Sequence, residues 1–361
     1  QRHSGGVRMS IRKDYVRPID FKQGRVDMTH GAGGRASAQL IDELFARAFD
    51  NDYLRQGHDG ALLPLPGSGR LVVATDGHVI SPLFFPGGDI GALAVHGTVN
   101  DVAMSGAMPL YLTASFIIEE GFALAELRRI VESMAAAARA AGVPIVTGDT
   151  KVVEQGKGDG VFISTTGIGV APPGLTIDGR QARVGDAVLV SGTLGEHGVA
   201  VMSLRESLEF ETAIVSDSAA LHTLVQAMLQ ALPDPALLHV LRDPTRGGLA
   251  STLNEITRQS QVGMLLREAD IPVQPQVAAA CELLGLDPLY VANEGKLVAI
   301  CARGRRVPAG RHARAPAGPG GAAHRHRHRG CQRLCADGHA LWRPPRGGLA
   351  QRRAVAAHLL K

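Results

Sequence analysis

Residues 87–118 read GGDIGALAVHGTVNDVAMSGAMPLYLTASFII. Two glycines and an aspartate open a run rich in small residues, Gly88 to Met104, that reads as a helix. After the Ser-Gly-Ala break, Pro109 to Ile118 reads as a strand. Leu124 to Ala141 follows as a long helix that stops at Gly142, and Pro144 to Thr147 as a short strand delivering Gly148, Asp149 and Thr150. Gly160 to Gly169 is its expected antiparallel neighbour. Upstream, Arg70 to Thr75 reads as a buried strand ending at Asp76. Val26 to Gly34 is a glycine-rich loop leading into Ala36 to Phe49, where Leu40, Ile41, Leu44, Phe45 and Ala48 recur at helical spacing.

After Pro-Pro-Gly at 172–174 a second unit begins. Ala187 to Ser191, Gly263 to Leu266 and Leu297 to Cys301 read as strands, and Ser216 to Leu232 and Gly247 to Thr257 as helices. Strands and helices mix in both halves without a doubly wound pattern, so the sequence predicts an α/β fold of two sandwich domains, residues 26–172 and 173–302. A leader, 1–25, and a tail, 303–361, flank them, and Met9 is the first initiator candidate. No repeat period is visible, which excludes solenoids.

The chain has 361 residues, 45% hydrophobic and 20% charged, enough for two cores and unlike disordered or fibrous chains. No apolar run approaches the ~20 residues that span a bilayer, and no signal pattern opens the chain, so a soluble cytoplasmic protein is expected. Cysteines at 281, 301, 331 and 335 form no disulfide framework. The net charge of +4 hides a division: Ala302 to Lys361 holds 13 Arg and one Lys against one acid, Asp337, leaving 24 bases and 33 acids elsewhere. The basic balance therefore does not argue for nucleic acid as partner.

The acids of the first 300 residues sit in telling places. Asp76 (ATDG), Asp89 (GGDIG), Asp101 (VND), Asp149 (TGDT) and Asp243 (RDPTRGG) each lie at a strand end or glycine-rich turn. A single aspartate there is as readily a turn former or helix cap. Five together point to a hard cation such as Mg²⁺ beside phosphate. A Walker A loop is absent, so phosphate needs other devices: the His30-Gly31-Ala32-Gly33-Gly34 segment, or Thr245-Arg246-Gly247-Gly248 at a helix start. Lys151 could neutralise a transferring phosphoryl group or be a solvated loop lysine. Glu294 in NEGK could be a general base, a metal ligand or an ordinary turn acid.

The ordered series HGAGG (30–34), ATDG (74–77), VNDVAMSGA (99–107), TGDTKVV (147–153), DPTRGGLA (243–250) and NEGKL (293–297) resembles a family of ATP-using enzymes with the PurM-like fold. That family includes aminoimidazole ribonucleotide synthetase, selenophosphate synthetase and thiamine-phosphate kinase. Within it the series is most similar to the HypE hydrogenase maturation factors, over roughly 26–301. Selenophosphate synthetases carry a reactive residue near the first glycine segment, whereas this chain has no cysteine before Cys281. Thiamine-phosphate kinases have Ser-Asp-Gly where Thr245-Arg246-Gly247 stands.

The resemblance implies ATP-dependent dehydration of a carbamoyl group on the chain's own C-terminal cysteine, giving a thiocyanate that becomes the cyanide ligand of [NiFe] hydrogenase. It implies Asp76, Asp101, Asp149 and Asp243 for metal and ATP, Lys151 for phosphate and substrate oxygen, and Glu294 for proton abstraction. It extends the ATP contacts to His30, Gly33, Gly34, Asn100, Gly148, Thr150, Thr245, Arg246, Gly247 and Gly248. It also implies a homodimer through the N-terminal domains, the carbamoyltransferase HypF, and the HypC–HypD iron scaffold. Two alternatives remain open: another synthetase or kinase of the superfamily acting on a free substrate, and an inactive dimeric scaffold for maturation partners.

The tail departs from this pattern. A chain of the family ends Pro-Arg-Ile-Cys, whereas this one ends Ala-His-Leu-Leu-Lys. Codons that suit Ala354 to Lys361, read one base later, spell Gln-Leu-Pro-Arg-Ile-Cys-stop, so the sequence predicts a single-base frame shift near residues 300–306. Cys331 and Cys335 with His324, His326 and His328 match no well-formed zinc spacing.

Overall fold

The computed structural model describes residues 18–57, 60–64, 67–206 and 214–302, together with the backbone of 332–334. Most of the leader, and nearly all of the tail with its cysteines, histidines and expected frame shift, lie outside the described residues.

The chain enters through a helical turn, Met28–Gly31, and helix α1 (Arg35–Leu40), which continues through a wide turn into α2 (Ala46–Ala48). Strand β1 (Arg70–His78), the small hairpin β2 (Phe84–Phe85) and β3 (Gly88–Asp89), helix α3 (Ile90–Ala103), β4 (Met108–Glu119), α4 (Leu124–Ala141), β5 (Ile145–Val153) and β6 (Val161–Ala171) complete the first domain. Its sheet runs β1-β6-β4-β5. Strand β5 lies parallel to β4 and β6 antiparallel to both β1 and β4. The expected pairing of β6 with β5 is thus corrected: the crossover through α4 brings β5 back parallel beside β4, as a strand-helix-strand connection must.

Helices α3 and α4 cover one face of this sheet. Ile90, Val95 and Val99 of α3 meet Ile130 and Met134 of α4 and Leu112, Phe116 and Ile163 of the sheet in one buried cluster. The small residues of α3 explain the closeness of packing, since a Cβ on Gly91 would stand 2.3 Å from the Ile130 carbonyl oxygen. The opposite face of the sheet is open, with Leu71 and Val73 61% and 60% exposed and Ile117 41% exposed.

The second domain contains β7 (Ala187–Val190), α5 (Glu196–Arg205), α6 (His222–Ala231), β8 (Leu238–Arg242), α7 (Gly248–Ser260), α8 (Pro275–Leu284), β9 (Val298–Cys301) and β10 (Gln332–Leu334), in the order β10-β7-β9-β8. Both faces are covered: Leu189, Leu241 and Ala299 pack with Val225 and Leu229 of α6, and Val190, Val240, Val298 and Ile300 with Leu249, Leu253 and Ile256 of α7. Burial on both sides is why β9 reads as unbroken apolar sequence.

Three further expectations are corrected. Strand β1 runs past Asp76 to His78, because β6 continues to pair with it down to Ile163. No strand forms at 263–266. Helix α6 begins only at His222, since Ser216 Oγ accepts the Ser218 N–H locally, Asp217 is drawn to the Glu294 and Gly295 N–H groups of a distant turn, and Asn100 accepts the Leu221 N–H at 2.7 Å, each competing with a helical turn.

Candidate active site

Four elements converge where the two domains meet: the end of β1, the second half of α3, the turn between β8 and α7, and the 293–296 turn before β9. Asp76 accepts the Gly77 N–H at 2.7 Å, and its other oxygen lies 3.8 Å from Nε2 of buried His78. A Cβ on Gly97 would lie 3.6 Å from that same oxygen, so Asp76 faces α3, one turn before Asp101. Asp243 opens the turn that leads through Thr245, whose carbonyl accepts the Gly248 N–H at 3.0 Å, into α7.

The carboxylates feel one another. Burial raises Asp101 to about 7, with the negative charges of Asp243 and Asp76 adding to the rise and Arg242 and Arg246 opposing it. Burial likewise raises Glu294 to about 8, helped by Asp243, Asp217, Asp76 and Asp101. Asp243 is raised by burial, with Asp76 contributing. Crowded carboxyls that resist ionisation are what a divalent cation relieves. Among the described residues no three His, Cys, Asp or Glu side chains close on a single point as a ready-made metal cage. Asp76, Asp101 and Asp243 are the carboxylates from which a Mg²⁺ ion could take one or two ligands, its remaining positions going to water and phosphate oxygens.

Three residues of the 293–296 turn have distinct roles. Asn293 is fully buried; its Oδ1 accepts the Gly195 N–H at 2.8 Å and its Nδ2 donates to the Pro244 carbonyl at 3.1 Å, tying this turn to the one that carries Asp243. Glu294 enters the cluster. Lys296 Nζ lies 3.1 Å from Asp217 in an ion pair buried on both sides. Asp217 and Lys296 were not singled out by the sequence reading, which placed Asp217 in a helix; the Ser-Asp-Ser at 216–218, a capping type of sequence, was the available signal.

The remaining candidates form a second group across the sheet. Lys151 and Asp149 pair with each other at 2.9 Å on edge strand β5, both largely exposed, and Lys151 holds the Asp149 carboxyl below its usual range. Asp149 stands in register with Ser115, Ser164 and Gly77, three strand spacings and on the order of 14 Å from β1. Its open face is opposite to the face Asp76 uses. Thr150 N donates to Asp149 Oδ1 at 2.8 Å. A Cβ at Gly148 would lie 2.3 Å from the Ala114 carbonyl, so this glycine serves strand packing. His30 caps its own turn, Nδ1 accepting the Asp27 N–H at 3.1 Å, and Gly31 packs against Val152 of β5. Gly33 and Gly34 beside it have open space where side chains would stand. Thus the structure places Asp149 with Lys151 and the first glycine segment rather than with Asp76, Asp101 and Asp243.

Asn100 belongs to neither group. Its side chain is spent on the second domain, Oδ1 accepting from Leu221 N at 2.7 Å and Nδ2 donating to the carbonyls of Ala219 and Glu294 at 3.0 and 3.3 Å. These three bonds make the Asn100 side chain a clamp between the domains. Arg246 is exposed beside the cluster, while Gly247 caps α7. Gly248, at φ +61°, lets α7 approach the 289–291 backbone, where a Cβ would stand 2.5 Å from the Leu289 carbonyl.

Fold and site together define an AIR synthase related protein: residues 57–171 match the N-terminal domain of that family and residues 183–310 its C-terminal domain. The chain is 72% identical over 293 residues to carbamoyl dehydratase HypE of Cupriavidus necator, covering 81% of this chain and 83% of that one. The structure of a hydrogenase maturation protein HypE in complex with ATP superposes with a TM-score of 0.74 at 52% identity, covering 77% of this chain and 81% of that one. A HypE–HypF complex gives a TM-score of 0.63 at 53% identity, covering 73% and 84%. The chain belongs to the HypE family of carbamoyl dehydratases.

Proposed function

We propose that this chain serves [NiFe]-hydrogenase maturation by ATP-dependent dehydration of an S-carbamoyl cysteine to a thiocyanate. The observation that carries the reading is Glu294 among Asp76, Asp101 and Asp243: a buried carboxyl matched to neutral pH beside a set of acids suited to Mg²⁺ and phosphate. An amide oxygen leaves poorly, and transfer of a phosphoryl group from ATP to it makes phosphate the leaving group. The C–O bond breaks, nitrogen gives up its protons, and the carbon–nitrogen bond becomes a nitrile, with ADP and phosphate as the other products. Asp76, Asp101 and Asp243 would hold Mg²⁺, which would supply positive charge to the phosphate oxygens when bound. Glu294 takes a proton from nitrogen, and Lys151 neutralises the oxygen being phosphorylated. Thr245, Arg246 and the α7 start are the proposed phosphate contacts.

Lys151 stands across the sheet from Glu294 in one chain. Leu71, Val73 and Ile117 form an exposed apolar face on the sheet that also carries Asp149 and Lys151. Pairing of two such faces would bury it in a homodimer. The HypE relative solved with HypF supports a HypF carbamoyltransferase as donor partner. A HypC–HypD iron scaffold is the proposed acceptor, and the cytoplasm the proposed compartment. No helix among the described residues is long and apolar enough to cross a membrane.

A synthetic peptide ending in Pro-Arg-Ile-S-carbamoyl-Cys, supplied with Mg²⁺ and ATP to the purified chain, tests the reading. Mass spectrometry is expected to show loss of one water from the peptide, matched by ADP. Consumption of ATP with the peptide mass unchanged overturns it.

A further inference from the structure

The Glu294 side chain is only as well placed as the main chain that carries it, and one buried residue holds that main chain. Asp217 Oδ1 accepts the N–H of Glu294 at 3.1 Å, and Oδ2 accepts the N–H of Gly295 at 3.2 Å. The same Oδ2 lies 3.1 Å from Lys296 Nζ, with the Asp217 and Lys296 side chains only 3% and 7% exposed. An asparagine offers one acceptor oxygen, whereas a carboxylate has two, each strengthened by charge. Burying that charge needs a counter-ion, and Lys296 provides it from the same turn.

The contact extends to the backbone. A Cβ on Gly295 would stand 1.7 Å from the Asp217 carbonyl oxygen, so the two segments touch main chain to main chain. The 217 segment is anchored in turn: Ser216 N donates to the Pro86 carbonyl of the first domain at 2.8 Å, and Ser216 Oγ pairs with Nδ1 of buried His197 at 2.8 Å. From the other side, Asn100 donates to the Glu294 carbonyl. Asp217 therefore connects the domain joint to the residue that must face Asp101.

We propose that Asp217 is a positioning residue for Glu294, its two main-chain hydrogen bonds setting where that carboxylate stands relative to Asp76, Asp101 and Asp243. The inference rests on Glu294 acting as the base. Displacement of a reacting group by about 1 Å costs about 100-fold in rate, which is the effect expected here on the chemical step.

The experiment compares the full chain with D217A, D217N and D217N/K296M, the last removing both buried charges so that a folded protein is available should the single variants fail. Hydrogen exchange of the Glu294 and Gly295 amides is read first, without ATP. Loss of about tenfold or more in protection, greatest in D217A, is expected, with D217N intermediate because one acceptor remains. With the S-carbamoyl peptide, kcat is expected to fall about 100-fold while ATP affinity and the peptide KM stay at wild-type values. Unchanged protection at both amides, or a loss of kcat that only tracks lost ATP binding, overturns the proposal. A wild-type chain that leaves the peptide intact overturns the dehydratase reading, and the exchange comparison still decides whether Asp217 holds Glu294.

Discussion

Replacing Asn100 by alanine separates a domain clamp from a nucleotide ligand. Asn100 is 1% exposed and makes three hydrogen bonds, to Leu221 N and to the carbonyls of Ala219 and Glu294. Its removal leaves the buried Leu221 N–H without its partner, at about 2 kcal/mol, and the two weaker contacts add about 1 kcal/mol each, for about 4 kcal/mol in all. At about 2–4 °C per kcal/mol for a chain of this size, Tm should drop by on the order of 10 °C. Thermal unfolding followed by circular dichroism without nucleotide measures this, and calorimetric titration with MgATP at a temperature where the variant is folded measures affinity. The clamp predicts the large Tm loss with ATP affinity near wild type. A Tm that barely moves together with an affinity loss of about tenfold or more would refute the reasoning and return Asn100 to the nucleotide site.

Glu294 and Asp101 hold protons in the folded chain up to about 8 and about 7, well above the ~4 at which unfolded carboxyls release them. The folded state binds more protons across that interval, so stability should fall as pH rises from about 5 to about 8, and E294Q should flatten the decline; equal slopes in Tm-versus-pH series would contradict it. Lys151→Ala removes a 64% exposed side chain, so stability should change by no more than about 0.5 kcal/mol while peptide dehydration drops sharply; unaltered turnover would remove Lys151 from the reaction. Val73→Lys on the open face should convert the proposed dimer to monomer in sedimentation velocity, with the single-chain fold intact by circular dichroism. A dimer that persists would place the interface elsewhere.

Local sequence carried much of this molecule. Helix α4 was legible to the residue because its apolar positions recur at helical spacing and Gly142, at φ +68°, supplies the left-handed stop. Asp76, Asp101, Asp243 and Glu294 were legible as candidates from their short motifs, although Asp101 stands within α3 and Asp76 near the end of β1 rather than in turns, and the structure brings these four into one electrostatic neighbourhood. Sequence could not say which candidates share a site. Asp149 sits in the same kind of turn motif as Asp76, yet strand order puts it on the far edge and open face of the sheet, and no local property encodes strand order. Asn100 looked like part of a ligand motif because it adjoins Asp101; helical geometry turns adjacent side chains about 100° apart, so one meets the second domain while the other meets the acids. Asp217 was hidden for the opposite reason, since its partners Glu294, Gly295 and Lys296 lie almost eighty positions away. Spacing along the chain determined which residues could do chemistry, and the meeting of the two domains decided which of them face one another, because burial and charge coupling depend on distance in space.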